Sequence, residues 1–205
     1  MGAFFHSAFQ KYVDFEMLAN AGFCALLTGV ESVSEENLKY FVAKNNSIKD
    51  LFALGVKSKK AGIFVSQSFI APEAEATFEP FDRYLSEYPF DSDNSSITLF
   101  FPLVYPGTGW WKNPAQYGIE ITNRNHYLRG LLFGDDPKHH PVSYSIQIKG
   151  RPFSDLSLEF VETKRRVLSK GINLNITDEI ALLAIASGQN PHKFHIRQQS
   201  AIRRY

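Results

Sequence analysis

Residues 63–70 have the sequence Ile-Phe-Val-Ser-Gln-Ser-Phe-Ile, and this stretch decides the class of fold that we expect. It is rich in β-branched and aromatic residues, which are typical of a β-strand. Similar stretches lie between turn-forming Gly, Pro, Asn and Asp residues and predict strands at 97–105, 117–122, 126–133 and 142–149. Because no long helical pattern separates them, we expect these strands to pair mostly antiparallel.

The segments before and after this sheet carry helical patterns. Residues 1–55 place apolar side chains at alternating steps of three and four, which is the spacing of one helix face. Residues 180–186 are apolar on every side, and this composition predicts a buried central helix. Residues 156–169 fit a helix and a strand equally well, so the sequence leaves their structure open.

Together these patterns predict a single α+β domain that spans residues 1–205. Its parts are N-terminal helices, a central and mostly antiparallel sheet, and a buried C-terminal helix. The expected boundaries are a helical segment 1–55, a sheet 62–150, a helical completion of the core 151–191 and a basic tail 192–205.

The composition is that of a globular protein, with 44% hydrophobic and 21% charged residues. Cys24 is the single cysteine, so no disulfide can form within the chain. No stretch reaches the roughly 18 apolar residues of a membrane-spanning helix, and the first residues lack the apolar stretch of a secretion signal. We therefore expect a cytoplasmic protein that does not contact a membrane.

The net charge of +1 conceals an uneven distribution of charges. Residues 146–205 contain ten Lys and Arg residues against five Asp and Glu residues. On a helix, Lys193, Arg197 and Arg204 would share one face. A surplus of this kind is typical of a surface that contacts phosphate groups or an acidic partner. The alternatives are a solvated surface and internal pairing with the acidic segment 71–93.

Trp110 and Trp111 are adjacent, lie in a loop rich in Gly and Pro, and are followed by Lys112. Two neighbouring rings in such a loop cannot easily both be buried. Exposed aromatic rings beside a cation stack on nucleic-acid bases or anchor a protein partner. The alternative is a loop that folds back on the sheet with one of the rings as a plug.

These features favour a non-enzymatic binding protein, because the chain contains no nucleotide-binding loop and no hydrolase or kinase motif. The expected partner is a nucleic acid or an acidic protein, and no cofactor is expected. The predicted contact residues are Trp110, Trp111, Lys112, Lys193, Arg197, Arg203 and Arg204.

A second hypothesis is an enzyme, namely a divalent-metal-dependent nuclease or phosphoesterase. Asp155 followed by Glu162-Thr163-Lys164 resembles the arrangement in metal-dependent nucleases, where two carboxylates hold a divalent cation and a lysine steadies the attacking water. On a strand, Glu162 and Lys164 would share a face, as this chemistry requires. The alternative is an ordinary surface strand or helix.

Two further hypotheses concern metal binding and assembly. His126, Asp135, His139 and His140 carry the imidazole and carboxylate groups that suit Zn, Mn or Fe, although such residues also form an ordinary solvated turn. A structural or assembly subunit would use the Phe-rich residues 1–55 as its oligomer face.

Overall fold

A four-stranded parallel sheet and a three-stranded antiparallel sheet form the framework of the computed structural model. The structure describes residues 1–34, 38, 47–72, 77–88, 93–133 and 145–202. The parallel sheet has the strand order β1-β2-β3-β4, with β1 Gly2–Phe4, β2 Ala25–Glu31, β3 Phe64–Ile70 and β4 Ser95–Phe100. The antiparallel sheet consists of β5 Ile119–Ile121, β6 Ile146–Ile148 and β7 Arg151–Pro152.

Eight α-helices and two short 3-10 helices lie in the described part of the chain. The α-helices are α1 Phe15–Asn20, α2 Ile48–Ala61, α3 Glu79–Ser86, α4 Gly109–Lys112, α5 Arg124–Phe133, α6 Phe153–Ser169, α7 Asp178–Ala186 and α8 Pro191–Ile202. The 3-10 helices are Ser7–Lys11 and Pro114–Tyr117. Polar caps fix where helices begin: the Asp14 carboxylate accepts two backbone N–H groups of α1, and the Thr177 hydroxyl accepts one of α7.

The central strands of the parallel sheet are covered on both faces. Successive side chains of a strand point to opposite faces, so Leu26 and Val65 pack with Leu54 of α2, while Ala25 and Phe64 pack on the other side with Ala181 of α7. Because of this double burial, β2 and β3 show no alternation of buried and exposed residues, and even Thr28, Ser66 and Gln67 are buried.

The strand order of the parallel sheet follows the chain order without reversal. The connections between the strands therefore run in one direction and pack helices on one face, where α2 and α3 contribute Leu51, Phe81 and Tyr84 to the largest apolar cluster. A ligand crevice in an open parallel sheet normally forms where the strand order reverses. The described strands contain no such reversal.

The two sheets share one apolar core. The largest cluster joins Ile97 and Leu99 of β4 to Ile119 of β5, Ile148 of β6 and Leu156 of α6. The Tyr127 hydroxyl on α5 accepts a hydrogen bond from the Val104 backbone N–H at 2.6 Å, and this bond ties α5 to the chain that leaves β4. The small sheet is thus fixed against the end of the large one.

The structure confirms the α+β class and corrects the predicted sheet. The main sheet is parallel, and only β5–β7 pair antiparallel. Residues 1–55 are not uniformly helical, because they supply β1 and β2. A buried parallel strand such as β2 lacks alternating polar positions, so its sequence could not be told from a helix by periodicity. Residues 126–133, predicted as a strand, belong to the helix α5.

Two predictions about the C-terminal third are settled by the structure. Residues 156–169 are helical and form most of α6. The expectation of a buried central helix at 180–186 is wrong, because α7 lies on the outside of the sheet with Leu183 57% exposed. Only Ala181 and Ala184 of α7 are buried, and their small side chains allow the helix to approach the sheet closely.

Candidate functional site

The tryptophan pair lies on α4, a single helical turn that begins at a tight bend. The Thr108 hydroxyl accepts a hydrogen bond from the Trp111 backbone N–H at 3.3 Å and donates one to the Tyr105 carbonyl at 2.7 Å. The bend before it has Gly107 at a φ of +90°, a conformation that other residues rarely adopt. These local bonds set the direction in which both rings leave the backbone.

Both tryptophans are half-buried, and their inner surfaces pack against the apolar core. The rings of Trp110 and Tyr117 lie with their centroids 6.4 Å apart at an angle of 49°. The Arg124 guanidinium lies over the ring of Trp111, with its central carbon 3.9 Å from the ring centroid. Each ring is therefore partly buried against the core and partly exposed, so the structure combines the two alternatives for this loop.

Four cationic side chains of the small sheet and its connecting segments are exposed: Lys112, Arg124, Arg129 and Lys149. A fifth, Arg151, is ion-paired with Glu159 of α6. Glu120 is the one acidic residue within the described stretches 101–133 and 145–152. The small sheet therefore has a basic surface, although the whole chain carries a net charge of only +1.

Lys149 lies against Gly118, the residue that follows Tyr117 in the chain. The Lys149 backbone N–H donates to the Gly118 carbonyl at 2.6 Å, and a Cβ at Gly118 would lie 2.9 Å from the Lys149 side chain. Gly118 also has a φ of +64°, so a side chain is disfavoured there on two grounds. We call the resulting set the aromatic–basic surface: Trp110, Trp111, Lys112, Tyr117, Arg124 and Lys149.

The aromatic–basic surface has the chemistry that nucleic-acid bases and phosphates need. A base stacks on an aromatic ring or on the plane of an arginine guanidinium. Since one face of the Arg124 guanidinium rests on Trp111, its other face and its N–H edges are directed away from that ring. Lys112 and Lys149 supply point charges for phosphate groups on either side.

The predicted contact residues at the C-terminal end lie on a different element. Lys193 and Arg197 are exposed on α8, and Arg197 donates a hydrogen bond to the side-chain oxygen of Gln189 at 2.9 Å. Helix α8 packs on α7, which covers strands β1 to β3. Arg203 and Arg204 lie outside the described residues, so a single patch that unites α8 with the tryptophans stays a prediction.

Part of the basic surplus in residues 146–205 is neutralised internally. Arg166 forms an ion pair with Asp82, a member of the acidic segment 71–93. Arg165 donates two hydrogen bonds of 2.7 Å to the Glu162 carboxylate. The pKa of Glu162 is held below its usual value, chiefly by the hydrogen bond from Arg165. Internal pairing thus accounts for Arg165 and Arg166 of α6, whereas Lys193 and Arg197 of α8 are exposed.

The residues of the nuclease hypothesis, Asp155, Glu162 and Lys164, lie in the helix α6 and not in a strand. Glu162 and Lys164 lie about 200° apart around α6, so they do not share a face. Asp155 lies roughly 10 Å from Glu162 along the helix axis, which is too far for both to hold one ion. The Lys164 ammonium lies over the Phe160 ring at 4.4 Å. The strand geometry that this chemistry requires is therefore not formed.

Of the four residues in the metal-ligand hypothesis, one lies within the described structure. His126 is exposed, and its Nδ1 shares a hydrogen bond of 2.7 Å with the Ser145 hydroxyl. Asp135, His139 and His140 lie outside the described residues. Among the residues that are described, no three His, Cys, Asp or Glu side chains are grouped as metal ligands.

Three members of the aromatic–basic surface were not predicted from the sequence: Tyr117, Arg124 and Lys149. Arg124 follows Trp111 by thirteen positions, and residues 126–133 carry a pattern that suggests a strand. The contact of Arg124 with Trp111 joins the first residue of α5 to α4, and no local signal in the sequence encodes it.

No protein-family model, curated protein or solved structure matches this chain. A function therefore has to be inferred from its own residues. None of the helices in the described ranges combines the length and the apolar character of a membrane span.

Proposed function

We propose that this protein binds single-stranded nucleic acid, without catalysis, through the aromatic–basic surface. The observation that carries this proposal is the Arg124 guanidinium stacked on the half-buried Trp111 ring, 3.9 Å from its centroid and beside the exposed Lys112. Tryptophan, arginine and lysine together are the residue types that hold stacked bases and phosphates in sites of low sequence preference.

In this proposal, bases stack on Arg124 while phosphates contact the neighbouring cations. Duplex DNA keeps its bases inside the stack, so a surface of this kind favours unpaired strands. The exposed Lys112 and Lys149 contribute to affinity through phosphate contacts, without reading the sequence. We expect a binding surface for a few nucleotides in a cytoplasmic setting, with no cofactor.

Helix α8 supplies a second cationic contribution to the proposed binding. No acidic residue follows Glu179 in the sequence, whereas Lys193, Arg197, Arg203 and Arg204 do. The exposed Lys193 and Arg197 would attract the strand over a longer range than a direct contact. We expect their replacement to reduce affinity and salt dependence without altering the preference for single strands.

The proposal is tested by fluorescence anisotropy with a labelled, mixed-sequence DNA of about 20 nucleotides at low salt. We expect Arg124→Gln to weaken binding about tenfold, because it removes both a charge and a stacking plane. Arg129→Gln is the matched control. It removes the same charge from an exposed position of the same helix, about 140° away from Arg124.

Three outcomes contradict the proposal. One is the absence of any binding at low salt. Another is an equal loss of affinity in Arg124→Gln and Arg129→Gln, which would indicate charge alone. The third is binding of polyglutamate as tight as that of the oligonucleotide, with the same sensitivity to both variants, and this would assign the surface to an acidic protein.

Self-assembly through the N-terminal segment is a second candidate. It is favoured by the exposure of Phe4, Phe9 and Tyr12, which are 61%, 58% and 84% accessible. Phe4 belongs to β1, the strand at the edge of the parallel sheet, and an edge strand is where a second chain can extend a sheet. Tyr12→Glu should abolish association of this kind in a sedimentation experiment, whereas unchanged association would exclude this surface.

A further inference from the structure

Trp110 and Trp111 are consecutive residues of α4, so their side chains leave the helix in different directions. Successive positions of a helix lie about 100° apart around its axis. Each ring also has a different neighbour: the ring of Trp110 lies beside Tyr117, whereas the ring of Trp111 lies beneath Arg124. The aromatic–basic surface therefore contains two separate places where a base can stack.

The first of these places, which we call the cationic subsite, consists of Trp111 and Arg124. The central carbon of the guanidinium lies 3.9 Å from the centroid of the Trp111 ring. The inner surface of this half-buried ring packs against the apolar core. A base on this side of the surface therefore stacks on the plane of the guanidinium and not on the indole itself.

The second place, which we call the aromatic subsite, consists of Trp110 and Tyr117. The two half-buried rings have their centroids 6.4 Å apart and are tilted by 49°, so neither ring covers the face of the other. Gly109 permits this approach of Tyr117, because a Cβ at Gly109 would lie 3.3 Å from the Tyr117 hydroxyl oxygen. A base at this subsite stacks on an aromatic ring alone.

We propose that the two subsites hold two bases of the same unpaired strand, one on Arg124 and one on the Trp110–Tyr117 pair. This inference rests on the proposed function and specifies its ligand, which is a strand that supplies two bases and not a free nucleotide. Because the subsites differ in direction, the two bound bases are not stacked on each other. The exposed Lys112, which directly follows Trp111, contributes a charge for the phosphates of the strand.

Two oligonucleotide probes of equal charge test whether two bases are bound. The four-base probe is a thymidine tetranucleotide, and the single-base probe is a tetranucleotide with one thymine and three abasic positions. Both probes carry the same phosphates, so a difference in affinity between them reports on the bases alone. We expect the four-base probe to bind about thirtyfold more tightly at low salt, because it fills the second subsite as well.

The two tryptophans report on the two subsites separately once one of them is replaced. Trp110→Phe leaves Trp111 as the only tryptophan of the chain, and Trp111→Phe leaves Trp110. Phenylalanine keeps an aromatic ring at each position, so stacking is retained. The four-base probe should change the fluorescence of the remaining tryptophan in both variants.

Removal of the Tyr117 ring tests the aromatic subsite by itself. Tyr117→Ala should reduce the affinity for the four-base probe about fivefold or more, whereas Tyr117→Phe should retain it. Tyr12→Ala is the matched control, because Tyr12 is 84% exposed on the N-terminal segment and its replacement should leave binding unchanged. Urea denaturation of each variant establishes that the fold is intact before binding is measured.

A difference of less than about fivefold between the two probes would overturn the assignment of two subsites. So would a fluorescence change confined to one of the two tryptophan variants. Both results leave the binding of single strands intact. Thymidine monophosphate that binds as tightly as the four-base probe would assign the surface to free nucleotides instead. The absence of binding by every probe would contradict the proposed function, and the two subsites with it.

Discussion

The two sheets of this protein differ in the burial of their polar side chains, which are inside the parallel sheet and exposed around the antiparallel sheet. In the parallel sheet, polar groups are buried and bonded to one another: the Ser66 and Thr98 hydroxyls lie 3.1 Å apart, and Tyr84 donates to Gln67. Around the antiparallel sheet, Lys112, Arg124 and Lys149 point to solvent beside half-buried aromatic rings.

This difference separates the part that stabilises the fold from the part that we propose binds a ligand. The central strands of the parallel sheet are covered on both faces, and the order of the described strands contains no reversal at which a crevice would form. The antiparallel sheet has strands of three residues or fewer, and short connecting helices carry its aromatic and cationic side chains. Binding residues are commonly placed on connections that a rigid framework supports.

The largest effect is expected in the parallel sheet and should leave ligand binding intact. Leu54 on α2 is fully buried against β2 and β3, so Leu54→Ala should lower the free energy of unfolding by about 2–5 kcal/mol. Val56→Ala on the exposed side of the same helix should change it by about 0.5 kcal/mol or less. Urea denaturation measures the free energy of unfolding of both variants. An equal loss in Leu54→Ala and Val56→Ala would contradict the packing described for α2.

Because the hydroxyl groups of Tyr84 and Tyr88 are buried, we expect the free energy of unfolding to fall at alkaline pH. Burial raises the pKa of both Tyr84 and Tyr88 well above the usual value of 10, so the folded state binds their protons more tightly than the unfolded state. Their stabilisation is complete below pH 10 and is lost as the pH rises above it. The free energy of unfolding should fall by about 1 kcal/mol per pH unit for each tyrosine.

Urea denaturation between pH 8 and pH 12 checks this expectation about the tyrosines. Tyr88→Phe should remove about half of the slope above pH 10, because one of the two buried hydroxyls is then absent. A free energy of unfolding that stays level up to pH 12 would contradict the burial of the two hydroxyls.

A smaller effect is expected where the antiparallel sheet meets the aromatic rings. Gly118→Ala places a Cβ at a positive φ and 2.9 Å from the Lys149 side chain, so it should cost about 1–2 kcal/mol of stability. It should also weaken oligonucleotide binding, because Lys149 has to move. Gly171→Ala is the control, with a φ of +70° and open space around it, and binding should be unaffected there.

The smallest effect concerns His195 on α8. Burial and the neighbouring His192 hold the pKa of His195 below its usual value of 6.5, so the folded state binds its proton less readily than the unfolded state. Stability is therefore unaffected above pH 6.5 and should decrease slightly as the pH falls below it. Thermal unfolding at pH 7 and pH 5 should show a smaller difference in His195→Gln than in the parent chain.

The sequence predicts the fold and the site to different depths, and the comparison of the two sheets explains why. Strand 63–70 was identified because β-branched and aromatic residues dominate it, and the structure places β3 there. Strand β2 was missed because a strand covered on both faces carries no alternation. The antiparallel pairing predicted for the whole sheet holds only for β5–β7, of which β6 and β7 are joined by the two residues Lys149 and Gly150.

Within the candidate site, the tryptophans are visible in the sequence and their partner is not. Adjacent Trp110 and Trp111 in a Gly- and Pro-rich loop stand out by composition alone. Arg124 becomes significant only through the position of its guanidinium over the Trp111 ring, which is a tertiary contact. In the same way, Glu162 and Lys164 suggest a shared site only while α6 is taken as a strand.

The most direct test of the central claim uses the two tryptophans as their own reporter. Trp110 and Trp111 are the only tryptophans in the chain, so intrinsic fluorescence reports on the aromatic–basic surface alone. Titration with single-stranded DNA should quench this fluorescence in a saturable way, and added salt should weaken the interaction by about 0.7 logarithmic units per phosphate contact for each tenfold increase. Binding that leaves tryptophan fluorescence unchanged, or no binding at low salt, would contradict the assignment of this surface to nucleic acid.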